Sequence, residues 1–163
     1  MKKLVKKVAA LLCMVMVLGA CSGCGSDPVA EEFETFMNEN MVDVNANYEK
    51  LKAEVAKWAN FENDAQYVDS INNVLLPNVN ESLEMLSKIE VQTEEVNSIK
   101  AKYEDMLNTY KESFTMLADA CLNADVAGVE AATEKMADAV ALLEVYNAAL
   151  EELAEEKGLT VEY

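Results

Sequence analysis

The chain has 163 residues, a formal net charge of −17 and no histidine. Without histidine, the sequence excludes Ser-His-Asp triads, haem ligation through histidine and the usual zinc sites. The acidic balance argues against nucleic acids and anionic polymers as partners, because cationic contacts to phosphate supply much of the affinity for nucleic acids. Keeping the chain soluble is the simplest role for this much charge.

Residues 1–20 have the layout of a secretory signal peptide. Four of the first seven residues are lysine, and residues 8–18 form an uncharged apolar run that is too short to span a bilayer. The run ends in Leu18, Gly19, Ala20 and Cys21. Small residues before a cut site let extended backbone enter a protease cleft, and the cysteine thiol that follows can become a thioether.

The stretch Leu18-Gly19-Ala20-Cys21 resembles the lipobox of bacterial lipoproteins, and the resemblance covers residues 1–21 only. It implies transfer of a diacylglyceryl group to the Cys21 sulfur and cleavage between Ala20 and Cys21. It also implies acylation of the amino group that cleavage exposes, for example with palmitate. Cys21 is therefore the predicted lipid attachment residue, at the extracytoplasmic face of the cell membrane. The alternatives are an ordinary signal peptide and an uncleaved anchor, with Cys21 incidental.

The remainder of the sequence has the composition of a helical protein. Cleavage leaves nine lysines against 30 acidic residues, a net charge of −21. Glycine and proline are few, and runs rich in Ala, Leu, Glu, Lys and Met favour helix, so the predicted class is all-α. The predicted organisation is a cleaved signal peptide (1–20), a flexible lipid-anchored tether (21–27), a helical bundle (28–158) and a C-terminal tail (159–163).

Helix 1 is predicted over residues 28–59. Asp27 can cap free N–H groups at its start, and Pro28 suits the first helical position. Apolar residues then recur at alternating spacings of four and three, which places them on one stripe of a helix. They are Met37, Met41, Val44, Tyr48, Leu51, Val55 and Trp58.

Helix 2 is predicted to follow a turn at residues 60–64, with Asp64 as its cap. Pro77 interrupts the apolar stripe of this helix. Because proline lacks an N–H group and clashes with the preceding turn, we expect helix 2 to be kinked or split there. Asn78 with Glu81 can then cap a second segment.

Helix 3 is predicted to begin after the Thr93 cap, and helix 4 after a turn at residues 123–125, ending before Gly158. Matched lengths and short connections favour an up-down-up-down four-helix bundle of long helices. The alternative is an elongated three-helix coiled coil with helix 2 displaced. The bundle has a tether end, with the tether and the turn at 91–93, and a distal end, with the turns at 60–64 and 123–125.

The cysteines are predicted to have no redox or metal-binding role. Cys21 and Cys24 have the spacing of a redox or metal pair, but lipidation of Cys21 removes that pair. A disulfide between Cys24 and Cys121 is disfavoured, because the topology separates them by roughly a helix length whereas a bridge needs Cα atoms within about 7 Å. Cys121 is therefore predicted to be a small buried apolar residue, and no cofactor is predicted.

Six methionines follow the predicted signal peptide, and together with eight of the aromatic residues they are predicted to fill the core. The other interpretations are a Cu(I) site for the methionines and a ligand groove for the aromatic rings. At the distal end, Trp58 and Phe61 form either a partner site or a cap on the bundle, and the cap is favoured. The set is Met37, Met41, Met85, Met106, Met116, Met136, Tyr48, Trp58, Phe61, Tyr67, Tyr103, Tyr110, Phe114 and Tyr146.

Two groups of carboxylates have the spacing of a cation site. Glu130, Glu134 and Asp138 share one face of helix 4 and can attract Ca²⁺ or Mg²⁺, although a solvated face is favoured. The sequence Asn60, Glu62 and Asp64 mimics the start of a calcium loop but lacks the glycine and glutamate that follow in such loops. Neither group is therefore predicted to be a metal site.

The leading functional hypothesis is a non-enzymatic, membrane-tethered helical protein that contacts an unidentified envelope protein. The alternative is a carrier of a small ligand or a divalent cation, with a cavity between helices near Pro77. A third class is an enzyme that uses carboxylates alone. The sequence contains no nucleophile elbow, phosphate-binding loop or dinucleotide fingerprint that points to catalysis.

Overall fold

The structure is a computed structural model, and it describes residues 17–19 and 27–162. Nearly all of these residues are helical and the long helices pack against each other, which confirms the all-α class. The helices are α1 (Pro28–Thr35), α2 (Val42–Lys57), α3 (Asp64–Ser70), α4 (Leu76–Lys88), α5 (Glu94–Leu122) and α6 (Val126–Lys157). The elements between the short helices are the π-helical segments Phe36–Asn40 and Ile71–Leu75 and a 3-10 turn at Trp58–Asn60.

A short antiparallel pair of strands joins β1 (Val17–Gly19) to β2 (Thr160–Glu162). Because β1 lies within the predicted signal peptide, only a chain that keeps this segment can form the pair. Cys21 and Cys24 lie outside the described residues. Within residues 17–19 and 27–162, no helix has the length and apolar character that crossing a bilayer requires.

The first helical segment begins as predicted but contains a wide turn that the periodicity did not predict. Asp27 Oδ1 accepts a hydrogen bond from the Val29 N–H at 2.9 Å, with Pro28 in the first turn. At the π-helical segment Phe36–Asn40, the Met41 N–H donates to the carbonyl five residues back. Phe36 and its neighbour Met37 are both buried, and the wider turn lets two adjacent side chains face the core.

The second helical segment does not split at Pro77. The π-helical segment Ile71–Leu75 precedes the proline, and the Leu76 N–H donates to the Ile71 carbonyl. Pro77 therefore occupies the first turn of α4, where a missing N–H group is tolerated. The predicted second cap is wrong, because Asn78 is buried and makes no such bond.

The cap that begins α3 is one residue earlier than predicted. Asn63, not Asp64, caps the helix, and its side chain accepts from the Gln66 N–H at 3.2 Å. The Gln66 side chain reaches back to the Asn63 N–H at 3.2 Å, which completes a capping box. Two helix-terminal groups are satisfied in this way, so the turn at residues 60–64 has a fixed geometry.

The start of α5 and the end of α6 agree with the prediction. Thr93 Oγ1 accepts from the Val96 N–H at 3.4 Å at the start of α5. Gly158 has a left-handed backbone with φ of 68° at the end of α6. The α5–α6 turn closes through hydrogen bonds from Asp125 N–H to the Ala120 carbonyl at 2.9 Å and from Ala124 N–H to Cys121. This Schellman motif places Ala124 at a φ of 52°, where glycine is usual.

The substitution Ala124→Gly is expected to raise the free energy of unfolding by about 1 kcal/mol, because glycine removes the steric cost of a left-handed alanine. The matched control is Ala131→Gly at an exposed position within α6, which is expected to lower it by up to about 1 kcal/mol. Urea denaturation followed by circular dichroism gives both values. A loss of stability from Ala124→Gly would contradict the turn geometry.

One apolar core runs between the helices. Trp58 packs on Phe114 with ring centroids 6.1 Å apart, and Tyr103 packs on Tyr146 with centroids 4.9 Å apart, so residues far apart in sequence meet inside. Six polar residues are also buried, which the apolar stripes did not predict. These are Asn47, Glu54, Ser70, Asn78, Ser82 and Ser113.

Candidate functional surfaces

The predicted lipid attachment residue, Cys21, lies outside the described residues, but the structure describes Asp27, which precedes α1. Asp27 Oδ2 lies 3.2 Å from Lys157 Nζ, so the start of α1 lies beside the end of α6. The hydrogen bond from Lys157 is the main cause of a lowered pKa at the Asp27 carboxyl group. The described chain that begins at Asp27 therefore starts next to the last turn of α6.

A carboxylate on α1 holds the turn before α5 at the same end of the molecule. Glu32 accepts hydrogen bonds from the Gln92 N–H, from the Thr93 N–H at 2.7 Å and from the Thr93 hydroxyl. Burial raises the pKa of Glu32, but these hydrogen bonds outweigh burial and lower it overall. The tether end is thus held by one ion pair and one carboxylate with three donors.

Besides Tyr67, four tyrosines in the predicted core set bring hydroxyl groups into the interior. The hydroxyls of Tyr48, Tyr103 and Tyr110 are buried without a hydrogen-bond partner among the described residues, whereas the Tyr146 hydroxyl lies 3.9 Å from Met37 Sδ. Tyr48 and Tyr110 interact electrostatically without regular hydrogen-bond geometry. Burial raises the pKa of Tyr110 to about 12, so these phenols are neutral at physiological pH.

The substitution Tyr103→Phe is expected to raise the free energy of unfolding by about 1 kcal/mol, because a buried hydroxyl without a partner carries a desolvation penalty. The matched control is Tyr67→Phe, which removes a hydroxyl that donates to the Trp58 carbonyl at 3.2 Å. That change is expected to lower stability by about 1 kcal/mol. If thermal unfolding shows a loss for Tyr103→Phe as well, its hydroxyl binds a molecule inside the protein.

The carboxylates with cation-site spacing lie on solvated surfaces. Glu130, Glu134 and Asp138 are all exposed along α6. Glu62 contributes its N–H to the Gln66 side chain at 2.6 Å, within the turn that leads into α3. Residues 17–19 and 27–162 contain no group of three or more His, Cys, Asp or Glu side chains arranged to hold a metal ion.

The methionines and Cys121 belong to the core, as predicted. Met37, Met41, Met106 and Met136 are buried, and Met85 and Met116 pack against the core while partly exposed. Cys121 is buried, and burial raises the pKa of its thiol. A raised pKa leaves the thiol protonated and poorly nucleophilic at physiological pH, which fits a packing role.

The distal aromatic residues are interior rather than exposed. Trp58 is fully buried, its indole N–H donates to Ser70 Oγ at 2.9 Å, and Ser70 donates to Glu54 at 2.8 Å. Its ring makes edge-to-face contacts with Tyr67 and Phe114. Trp58 is therefore a core residue rather than part of an exposed partner site, and Phe61 is half-buried with its ring against Tyr67.

Open grooves lie at both ends of the molecule. A groove of about 350 Å³ at the distal end is lined by Glu54, Phe61, Ala65, Gln66, Asp69 and Ser70. Another of about 410 Å³ at the tether end is lined by Pro28, Glu31, Glu32, Thr35, Asn40, Glu90, Gln92 and Thr93. Both contain carboxylates, and neither includes Pro77, where the carrier hypothesis predicted a cavity.

Two exposed apolar side chains at the distal end were missed by the sequence analysis. Leu122 ends α5 with 67% of its surface exposed, and Val126 begins α6 with 57% exposed. Leu122 is adjacent to the buried Cys121 and so points to another side of the helix, and the sequence analysis made no prediction for it.

The chain matches no protein-family model, no curated protein and no solved structure. A function for it therefore depends on the residues and surfaces described above.

Proposed function

We propose that this protein is a non-enzymatic lipoprotein, anchored to the extracytoplasmic face of a cell membrane through lipid on Cys21, that contacts another envelope protein. The observation that carries the proposal is the order and spacing of three segments: the lysine-rich start, the apolar run of residues 8–18 and the lipobox of residues 18–21. Two or three acyl chains anchor a protein durably, so the acidic helical part needs no basic patch for the membrane.

The helical part is proposed to be an up-down-up-down four-helix bundle. In this topology, antiparallel neighbours bring together residues that lie at similar distances from the same end of the bundle. Side-chain contacts that fit this arrangement link segments 1 and 2, segments 3 and 4, and segments 4 and 1. They are Asn47–Glu81 at 3.1 Å, Glu112–Lys135 at 2.9 Å and Asp27–Lys157 at 3.2 Å.

This topology orients the protein on its anchor. Asp27 is the last residue of the tether, and Glu32 and Thr93 lie at the same end. The turns at residues 60–64 and 123–125 then face away from the membrane. Electrostatic repulsion between the acidic helices and an anionic membrane decays over about 8 Å at physiological salt, so it holds the helices off the surface without opposing the anchor.

The unpartnered tyrosine hydroxyls favour a second candidate, a carrier of a small polar molecule. Tyr48, Tyr103 and Tyr110 bring three neutral hydroxyls into the interior, and Asn78 adds an unpartnered carbonyl oxygen. Buried polar groups of this kind are usually satisfied, by water if not by protein. Trp58 is the single tryptophan, so its fluorescence during titration with divalent cations or envelope extracts tests this candidate.

Labelling with radioactive palmitate tests the anchor. The wild-type protein is expected to take up label and Cys21→Ala to take up none, because the substitution removes the sulfur that accepts the diacylglyceryl group. Cys24→Ala is the matched control and is expected to label like the wild type. Equal labelling of the wild type and Cys21→Ala would contradict lipidation at Cys21.

Cross-linking in intact cells, followed by mass spectrometry of what purifies with the protein, tests the interaction role. One envelope protein is expected with the wild type and is expected to be lost with Cys21→Ala, which is no longer held at the membrane. If abundant, intact and lipidated protein brings down no partner, the interaction role is contradicted and the carrier is favoured.

A further inference from the structure

The distal tip, residues 122–127, exposes apolar surface at the end predicted to face away from the membrane. Leu122 and Val126 are exposed by 67% and 57% and flank one three-residue turn. Ala124 and Ala127, within the same turn and the first turn of α6, are exposed as well. The apolar side chains of this turn are therefore accessible to a partner.

The charge around the distal tip is of one sign. Residues 112–134 contain five carboxylates and no lysine. Among them, Asp119, Asp125 and Glu130 are exposed close to the tip in sequence. Lys135, the next cation along the chain, is already paired with Glu112 at 2.9 Å. The carboxylates at the tip are thus not neutralised by lysines of the same two helices.

The turn that carries the tip is fixed before any partner arrives. Its Schellman hydrogen bonds are formed, and Gly128 lets α6 approach α5 closely. A Cβ atom at Gly128 would lie 2.6 Å from Asp125 Oδ2 and 3.0 Å from the Ala120 Cβ. A preformed surface loses little conformational freedom on binding, which favours affinity.

The charge selects among possible occupants of this surface. A second copy of the chain, an anionic lipid surface and a nucleic acid are all repelled by exposed carboxylates. A cationic protein segment is attracted by them, and an apolar side chain within that segment gains by burying Leu122 and Val126. Interfaces commonly combine such an apolar centre with a charged rim of complementary sign.

We propose that the distal tip docks a basic segment of an envelope protein, with an apolar side chain of that segment packed on Leu122 and Val126 and its cationic side chains beside Asp119, Asp125 and Glu130. The proposal rests on the tethered interaction role and adds the surface used and the chemistry of the partner.

A photo-cross-linking amino acid, benzoylphenylalanine, at Leu122 of the lipidated protein in intact cells tests this surface. The matched control carries the same probe at Val145, which is 50% exposed in the middle of α6. An adduct is expected at 122 and not at 145, to a protein whose cross-linked peptide holds more Lys and Arg than Asp and Glu. The variant Asp119→Asn/Asp125→Asn/Glu130→Gln is expected to reduce the adduct about tenfold, because it removes the charge that steers association.

A fold control accompanies this charge variant. Its thermal midpoint is compared with that of the wild type, and the adduct is also formed in isolated membranes at about 0.5 M salt, which screens the charges without any substitution. An adduct at 145 alone, or no adduct from either position, overturns the distal tip, and the interaction role is overturned separately if the cross-linked wild-type protein brings down no partner. An adduct at 122 to lipid, to a second copy or to an acidic peptide overturns the tip proposal, as does one insensitive to salt.

Discussion

Replacing Trp58 by alanine is expected to lower the free energy of unfolding by about 3–5 kcal/mol, the usual cost of deleting a large buried aromatic side chain. Trp58 is fully buried between Tyr67 and Phe114, with ring centroids 5.6 and 6.1 Å away. The substitution removes both aromatic contacts and leaves a cavity at the end of the core. Urea denaturation followed by far-ultraviolet circular dichroism measures the effect without depending on tryptophan emission.

Trp58→Phe is the matched control for this prediction. It keeps an aromatic ring between Tyr67 and Phe114 but removes the indole N–H that donates to Ser70 Oγ at 2.9 Å. We expect a cost of about 2 kcal/mol, from one lost hydrogen bond and a smaller cavity. A cost below about 1 kcal/mol for Trp58→Ala would mean that the side chain is exposed, and would restore the hypothesis of an aromatic partner site at the distal end.

Several helix starts and stops were predictable because capping is a contact between residues close in sequence, although the caps predicted at Asp64 and Asn78 were wrong. Asp27 and Thr93 accept from N–H groups two and three residues ahead, and Gly158 adopts the left-handed conformation that glycine tolerates best. The apolar stripes likewise predicted most of the core, since a spacing of three and four fixes one helical face. These parts of the fold require no knowledge of the neighbouring helices.

The π-helical segments were not predictable, because they depend on how their helix packs against the neighbouring helices. A wider turn interrupts the regular pattern of helical hydrogen bonds, but it redirects side chains so that they pack against other helices. At Ile71–Leu75 it also precedes Pro77, so the helix continues past the proline without the split that was one of the two predicted outcomes. The sequence shows the proline but not the turn that accommodates it.

The polar contacts between helices were not predictable from the sequence either. Ser70 receives the Trp58 indole N–H and donates to Glu54, although neither residue stands out in an apolar pattern. A buried polar side chain is acceptable only with its partner, and the partner comes from another helix.

Replacing Glu32 by alanine is expected to lower the free energy of unfolding by about 2 kcal/mol at neutral pH, because a carboxylate with charged hydrogen bonds is worth more than a neutral acceptor. The carboxylate accepts from the Gln92 N–H, the Thr93 N–H and the Thr93 hydroxyl, and it joins α1 to the turn before α5. Without Glu32, two backbone N–H groups and one hydroxyl lose their partner at the tether end.

The pH dependence of that loss tests whether the charge is responsible. The pKa of Glu32 in the folded protein lies below its ordinary value of 4.5, so its contribution is fully present above 4.5 and is lost as the pH falls through the lowered folded value. The stability difference between the wild type and Glu32→Ala is therefore expected to shrink in acid. Glu31→Ala, at an exposed neighbour, is the control and is expected to cost about 0.5 kcal/mol or less. A difference for Glu32→Ala that stays constant well below 4.5 would mean that packing of the side chain, rather than its charge, holds the tether end together.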